Sequence, residues 1–296
     1  MLYRALICAS LLLAFGLGTS AASDSRADAT AKLSRLEVHS PVRLTQVEHR
    51  ALMAKLHSVG WHVSREQTLE FTQGIARELV REAYQDKGYF LAEVTSEVAV
   101  ERGPTGTANV LVVNVTPGKR FRVTGISWHG ASAFSDADLE RLMPIRPGEL
   151  FSRRKMAIGL EAAKNLYDSH GYINYTPIPQ PHVDEEAGTL GWVIEVDEGG
   201  LFRFGDLHVE GMQEAHRKLL LSAWGKHVRG RPYRRQEAND FFNRFFKSPS
   251  PGIQPEDYVR FYIDAESHSV NYSLSLVPSV RYRVTKNLEL QPVVHP

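Results

Sequence analysis

The chain has almost no cysteine. The single one, Cys8, excludes an internal disulfide framework and a multi-cysteine zinc site. A charge surplus is also missing. With 35 Lys+Arg against 34 Asp+Glu, the formal charge is +1, which argues against a protein that grips a nucleic-acid backbone. Beyond the N-terminus no segment stays apolar for the ~18 residues that a spanning helix requires, so no transmembrane span is expected in the mature chain. Phosphate-cradling G-x-x-x-x-G-K or G-x-G-x-x-G motifs are absent, as is H-E-x-x-H among the 12 scattered histidines. What remains is a globular composition, 43% apolar and 23% charged, over 296 residues.

Residues 1–22 (MLYRALICASLLLAFGLGTSAA) read as an export signal, with an uncleaved membrane anchor as the alternative, for which the apolar run is short. Arg4 is the positive start, Ala5–Gly18 the apolar run, and Thr19–Ala22 the small residues of a cleavage site after Ala21 or Ala22. Cys8 falls inside this segment, too early for a lipoprotein cysteine. The mature chain is then cysteine-free, which fits a periplasm-like compartment. Residues 23–32 read as a polar, flexible leader.

The body repeats itself. Gly118-Lys-Arg-Phe-Arg-Val-Thr-Gly-Ile-Ser-Trp-His-Gly130 aligns with Gly199–Gly211 at an offset of 81 residues. Gly148-Glu-Leu-Phe151 aligns with Gly230-Arg-Pro-Tyr233 at 82, and Asp86-Lys-Gly-Tyr89 with Ser169-His-Gly-Tyr172 at 83. Three segments in register imply a copied unit. Its grammar is clearest in the middle copy. Arg120–His129 alternates as a strand. Ser135 with Asp138 predicts a capping box, flanked by Phe134 and Leu139 as a hydrophobic staple, on a short helix that ends before Pro144. Ser152 caps a second helix with Met156, Leu160, Ala163 and Tyr167 on one face, and Gly171 ends it. Strands Tyr172–Val183 and Thr189–Val196 follow around the turn Asp184–Gly188. In the first copy Leu36 and Val38 open the unit and Thr45 with Glu48 forms the box. The second helix carries Phe71, Ile75, Leu79 and Ala83, and strands Leu91–Val100 and Asn109–Val115 flank the turn Arg102–Gly106. Val110 and Val112 make that last strand apolar on both faces, which marks a contact between units or with a partner, or a sticky surface. The third copy has Ala238, Phe241, Phe242, Phe245 and Phe246 on its second helix and the loop Ser248–Gly252. Its last strand carries Val270, Tyr272, Leu274 and Leu276 inward and Asn271, Ser273 and Ser275 outward.

The expected fold is α+β: tandem β-α-α-β-β units, each a three-stranded mixed sheet with two helices on one face. The boundaries fall at 33–117, 118–198 and 199–277 (the divergent third unit). The tail 278–296 echoes 117–124 and reads as the opening strand of an incomplete further unit.

A string of such units in an exported chain resembles POTRA (polypeptide-transport-associated) domains. The residues that carry the resemblance are the openings at Phe121 and Phe202, the strand ends Gly130 and Gly211, the Gly-Tyr pairs at Gly88 and Gly171, and Val196-Asp-Glu-Gly199 at a junction. The resemblance implies domains that stand in the periplasm before an outer-membrane β-barrel and help to insert or secrete polypeptides. It implies partners among barrel-assembly or secretion proteins and unfolded clients, with no nucleic acid, cofactor or metal and no catalytic residue. The residues after 277 are too few for a barrel, so a scaffold, adaptor or chaperone-like role is expected.

In the family the strand after the second helix is an edge strand, and open edges accept extended polypeptide. That nominates Val94, Thr95, Ser96, Glu97 and Val98 in the first unit and Val259, Arg260, Phe261, Tyr262 and Ile263 in the third. In the middle unit Pro177, Pro179 and Pro181 recur every second residue, so their missing donors lie along one edge and block it; a guard against aggregation alone is the other reading. His39 and His129, at matching strand ends, read as structural. Asp184-Glu-Glu186 and Asp197-Glu198 read as solvated turns. The basic run Arg229–Arg235 reads as a solvated helix start, with peripheral contact to anionic lipid or an acidic partner as the alternative. Two other functional readings stand beside the scaffold: an architectural component of an envelope or division complex, and an enzyme with a site hidden between units.

Overall fold

The computed structural model describes residues 33–58, 69–103, 106–245, 258–276, 281–284 and 290–293. The export signal, the leader, Phe246 and the loop 248–252 lie outside the described residues. The elements are β1 (Leu33–His39), α1 (Gln46–Ser58), α2 (Leu69–Gln85), β2 (Glu93–Gly103), β3 (Gly106–Thr116), β4 (Arg122–His129), α3 (Asp136–Leu142), α4 (Arg153–Asp168), β5 (Thr176–Asp184) and β6 (Thr189–Asp197). They continue with β7 (Arg203–Glu210), α5 (Glu214–His227), α6 (Arg235–Phe245), β8 (Val259–Asp264), β9 (Ser269–Ser275), β10 (Arg281–Val284) and β11 (Leu290–Val293).

Three sheets have one topology: β1-β3-β2, β4-β6-β5 and β7-β9-β8. In each, the first strand pairs in parallel with the central one, and the other outer strand pairs antiparallel with it. The helix pair of each unit packs on one face, so each sheet has its own core. This is the expected tandem α+β architecture. Local signals explain it. Thr45 and Glu48 form the reciprocal box, with Thr45 N–H donating to Glu48 at 2.7 Å and Glu48 N–H to Thr45 Oγ1 at 3.2 Å. Ser135 accepts from Asp138 N–H, but Asp138 returns to the Ser135 hydroxyl (2.6 Å) and not to its amide.

β10 is a strand, but it pairs antiparallel with β11 and not in the parallel manner that opens each unit. Only five residues separate the two strands. That span suffices for a hairpin and is far too short for a parallel crossover.

Two faces were shifted from the sequence pattern. On α2 the buried stripe is Thr72, Ala76, Val80 and Tyr84; Phe71 is exposed, and Ile75 and Leu79 are half-buried. The helix is rotated because Tyr84, the largest side chain on it to be fully enclosed, takes the core position in place of Ala83. On β9, Val270, Tyr272, Leu274 and Leu276 face the core as expected, but Asn271 is also buried. Its Oδ1 accepts from Asp206 N–H at 2.7 Å, at the irregularity between Phe204 and Leu207. Gly205 leaves it the room, since a Cβ there would collide with Oδ1.

Val110 and Val112 are buried on the outer face of the first sheet. Arg35 and Glu37 flank them on β1, and Arg35 bridges to Glu37 (2.8 Å) and to Glu101 on β2 (2.7 Å).

Candidate polypeptide-binding edges

The nominated strands are the outer strands of their sheets. Among the described residues β2, β5 and β8 each pair on one side only, with β3, β6 and β9. Their side chains differ. On β2, Val94 is buried in the core and Val98 is half-buried. Ser96 accepts from Arg77 at 2.9 Å, while Thr95 and Glu97 are exposed. This edge offers a polar border and backbone. On β8, Phe261, Tyr262 and Ile263 are each about half exposed (48%, 53% and 48%). The Arg235 guanidinium lies 5.5 Å from the Phe261 ring centre, and Phe261 packs near Tyr272. Here Val259, Phe261 and Ile263 make one face apolar, and Tyr262 stands on the other between Arg260 and Asp264.

β5 is paired along its whole length, with Pro177 opposite Val196, Pro179 opposite Ile194 and Pro181 opposite Trp192. Donors to β6 come from the intervening residues. The three prolines therefore fall at positions whose N–H would point outward, and that border has no donor there.

The junction behind β6 was misread from sequence. Glu198 is a knot and not a solvated turn. It accepts from the amides of Ser132 and Ala133 (both 2.8 Å), from the Ser132 hydroxyl, and from Tyr167 OH at 2.9 Å. Burial pulls its pKa upward, but these hydrogen bonds, that of the Ala133 amide foremost, hold it below the usual carboxylate value. The same burial raises its tyrosine neighbours: Tyr175 is pushed up to about 12, first by desolvation and then by the Glu198 charge. Asp184 does behave as a turn residue and accepts from Ala187 N–H at 2.8 Å. His39 and His129 pair with Glu37 and Glu195 at 3.4 Å on exposed strand ends. In the basic run, Arg229 pairs with Asp206 at 2.9 Å and Arg231 with Glu237. Among the described residues no group of three His, Cys, Asp or Glu is placed to hold a metal, and no helix is long and apolar enough to cross a membrane.

The units are joined by a repeated contact. Phe121 N–H donates to the Gly88 carbonyl at 2.9 Å, and Phe202 N–H to that of Gly171 at 2.9 Å. Both glycines have positive φ (96° and 98°). At Gly171 a Cβ would meet Leu201 and the Phe202 carbonyl at 2.9 Å, so the next unit approaches too closely for any side chain. Two residues on, Phe90 enters the second unit's core against Phe151 (5.1 Å) and Trp192 (5.7 Å), and Ile173 packs on the third unit's core.

Helix pairs on small mixed sheets, chained through glycine-cornered joints, define a protein of tandem α+β domains. The chain matches the POTRA family, described as a surface antigen variable number repeat, over residues 121–199. It is 27% identical over 144 residues to the outer membrane protein assembly factor BamA of Neisseria meningitidis, covering 48% of this chain and 18% of that protein. To BamA of Nitratidesulfovibrio vulgaris it is 24% identical over 141 residues, 45% of this chain and 17% of that protein. The chain thus spans less than a fifth of the length of these curated relatives. The structure of POTRA domains 3–5 of Haemophilus influenzae BamA superposes with a TM-score of 0.54 at 19% identity, over 83% of this chain and 97% of that one, and so shares its fold.

Proposed function

We propose that this chain is a non-enzymatic periplasmic module of outer-membrane protein assembly or polypeptide secretion. It receives extended polypeptide along the β2 and β8 edges and is closed to it at β5. The observation that carries this reading is the contrast between edges of identical topology: β2 and β8 contain no proline, whereas β5 has Pro177, Pro179 and Pro181 on alternate positions. An added strand gains main-chain hydrogen bonds at low sequence demand, which suits a client that is not yet folded. The exposed Phe261, Tyr262 and Ile263 favour apolar or aromatic client residues at β8, while the polar β2 border favours backbone pairing alone. Partners are expected among barrel-assembly or secretion proteins, in keeping with the assembly factors that the chain resembles.

Amide chemical-shift mapping with an unfolded peptide from a barrel strand tests the reading. Perturbations along Val94–Val98 and Val259–Ile263 are expected; a centre on Thr176–His182 overturns it. Co-purification with barrel-assembly components from crosslinked envelopes separates assembly from a purely architectural role.

A further inference from the structure

The two joints share one backbone plan but not the same side chains. At the first, α2 and α4 are cross-linked. Arg153 donates to Glu78 at 2.6 Å and Gln85 at 3.2 Å, and pairs with Glu82 at 3.3 Å. Asp86 reaches into the next unit and caps α4, accepting from Arg154 N–H at 2.7 Å and from the Ser152 hydroxyl at 3.1 Å. Arg120 lies 5.1 Å over the Tyr89 ring, and Phe90 sits among Phe121, Phe151 and Trp192. Charged, capping and aromatic contacts all fix the angle.

At the second joint each of these parts is lost or turned away. Asp86 is replaced in register by Ser169, whose hydroxyl donates back to Leu166 of its own helix at 2.7 Å. Gln85 is replaced by Asp168, which pairs with Lys164 on the same helix at 3.1 Å. Glu82 is replaced by Asn165, and Phe90 by the smaller Ile173. Glu161 stands where Glu78 stands, but no hydrogen bond or ion pair joins it to a described residue. Arg235, in register with Arg153, lies over Phe261 of the β8 edge. Among the described residues no ion pair crosses this joint, and its one side-chain hydrogen bond is local to the connecting turn, from Gly199 N–H to Asp197 at 3.0 Å; the Phe202–Gly171 backbone bond and the apolar packing of Ile173 and Leu201 hold the rest.

We propose that the second joint is the swivel of this chain and the first is fixed, because at the second joint the counterpart of the locking arginine is turned onto its own unit and the counterparts of its acids are replaced or make no bond across. A single backbone bond at a positive-φ glycine acts as a pivot, and apolar contact does not dictate an angle as a multi-point polar clamp does. The swivel lies between the β2 and β8 edges and so sets their relative direction; that consequence rests on the function proposed above, but the swivel does not.

Pulsed electron paramagnetic resonance on the cysteine-free background (Cys8→Ser) tests this with two spin-label pairs at exposed helix positions. Ala54→Cys with Ala157→Cys reports the first joint, and Ala157→Cys with Ser222→Cys the second. The expected distance distribution is at least twofold broader for the second pair. Arg153→Gln, or Glu78→Gln if the first variant unfolds, should broaden the first pair and leave the second unchanged. High salt should broaden only the first. Equal widths in the unaltered chain, or a first pair unmoved by both variants and by salt, would overturn the proposal.

Discussion

Tyr167 donates its hydroxyl to Glu198 at 2.9 Å, which ties the last turn of α4 to the residue just beyond β6. The same carboxylate collects two amides of the loop after β4, so one acid fastens three elements of the middle unit. Removing it leaves the half-buried Ala133 amide and Tyr167 hydroxyl without this acceptor. Glu198→Ala should cost about 2–4 kcal/mol, whereas Tyr167→Phe, which deletes one bond, should cost about 1 kcal/mol. Urea unfolding followed by tryptophan fluorescence checks both values.

The Glu198 carboxylate has a folded pKa below its ordinary 4.5. Its contribution is therefore fully present above pH 4.5 and is lost as the pH falls below that value through the lower folded one. Urea midpoints measured downward from pH 6 should decline in this acid range more steeply for the unaltered chain than for Glu198→Gln.

Alkaline conditions act on the tyrosines with the opposite sense. Burial raises the pKa of Tyr84, Tyr167, Tyr175 and Tyr272, with Tyr175 at about 12. These groups hold their protons in the folded chain and release them near 10 when unfolded, so stability is present below pH 10 and falls as the pH rises through the folded values. Absorbance at about 295 nm should show this set ionising late and together with unfolding.

Gly130 has φ of 86°, and a Cβ there would stand 2.5 Å from the Val196 carbonyl oxygen. Gly211 repeats the arrangement against the Leu276 carbonyl. Gly130→Ala should destabilise the middle unit by about 1–3 kcal/mol, because both the backbone angle and the contact resist it. A thermal melt of the variant beside that of Ala131→Gly would separate strain at this site from a general effect of loop composition.

Replacing Pro177, Pro179 and Pro181 together by threonine restores three outward donors to β5. Shift perturbations by the unfolded barrel-strand peptide should then appear at residues 176–184, with those at β8 unchanged. If the triple variant binds no better there, the prolines are not what closes that edge.

The repeat made the fold readable, because three segments in register and the helix caps at Thr45 and Ser135 assign the same order of elements. The prolines of β5 were equally readable, since a missing donor is a property of the residue itself. Tertiary choices were not. The pattern Phe71, Ile75, Leu79 and Ala83 is apolar, yet enclosure of Tyr84 turns α2 toward Thr72, Ala76 and Val80. Asn271 looks outward by alternation but is drawn in by the irregularity of β7. Glu198 looks solvated because the residues that bind it, Ser132, Ala133 and Tyr167, lie 31 to 66 positions away. The joints were hidden for a related reason, because residues that bond across them belong to different copies and carry no shared periodicity.

Phe90 sits in a chain segment that leaves the ribosome before the rings it packs against, Phe121, Phe151 and Trp192. The second unit is thus finished by a side chain already made when its own last strand appears. Assembly from the N-terminus onward keeps the aromatic cluster covered at every stage. A chain that begins after residue 117 would present those rings to water, and it should stick to others of its kind where the longer one stays dispersed.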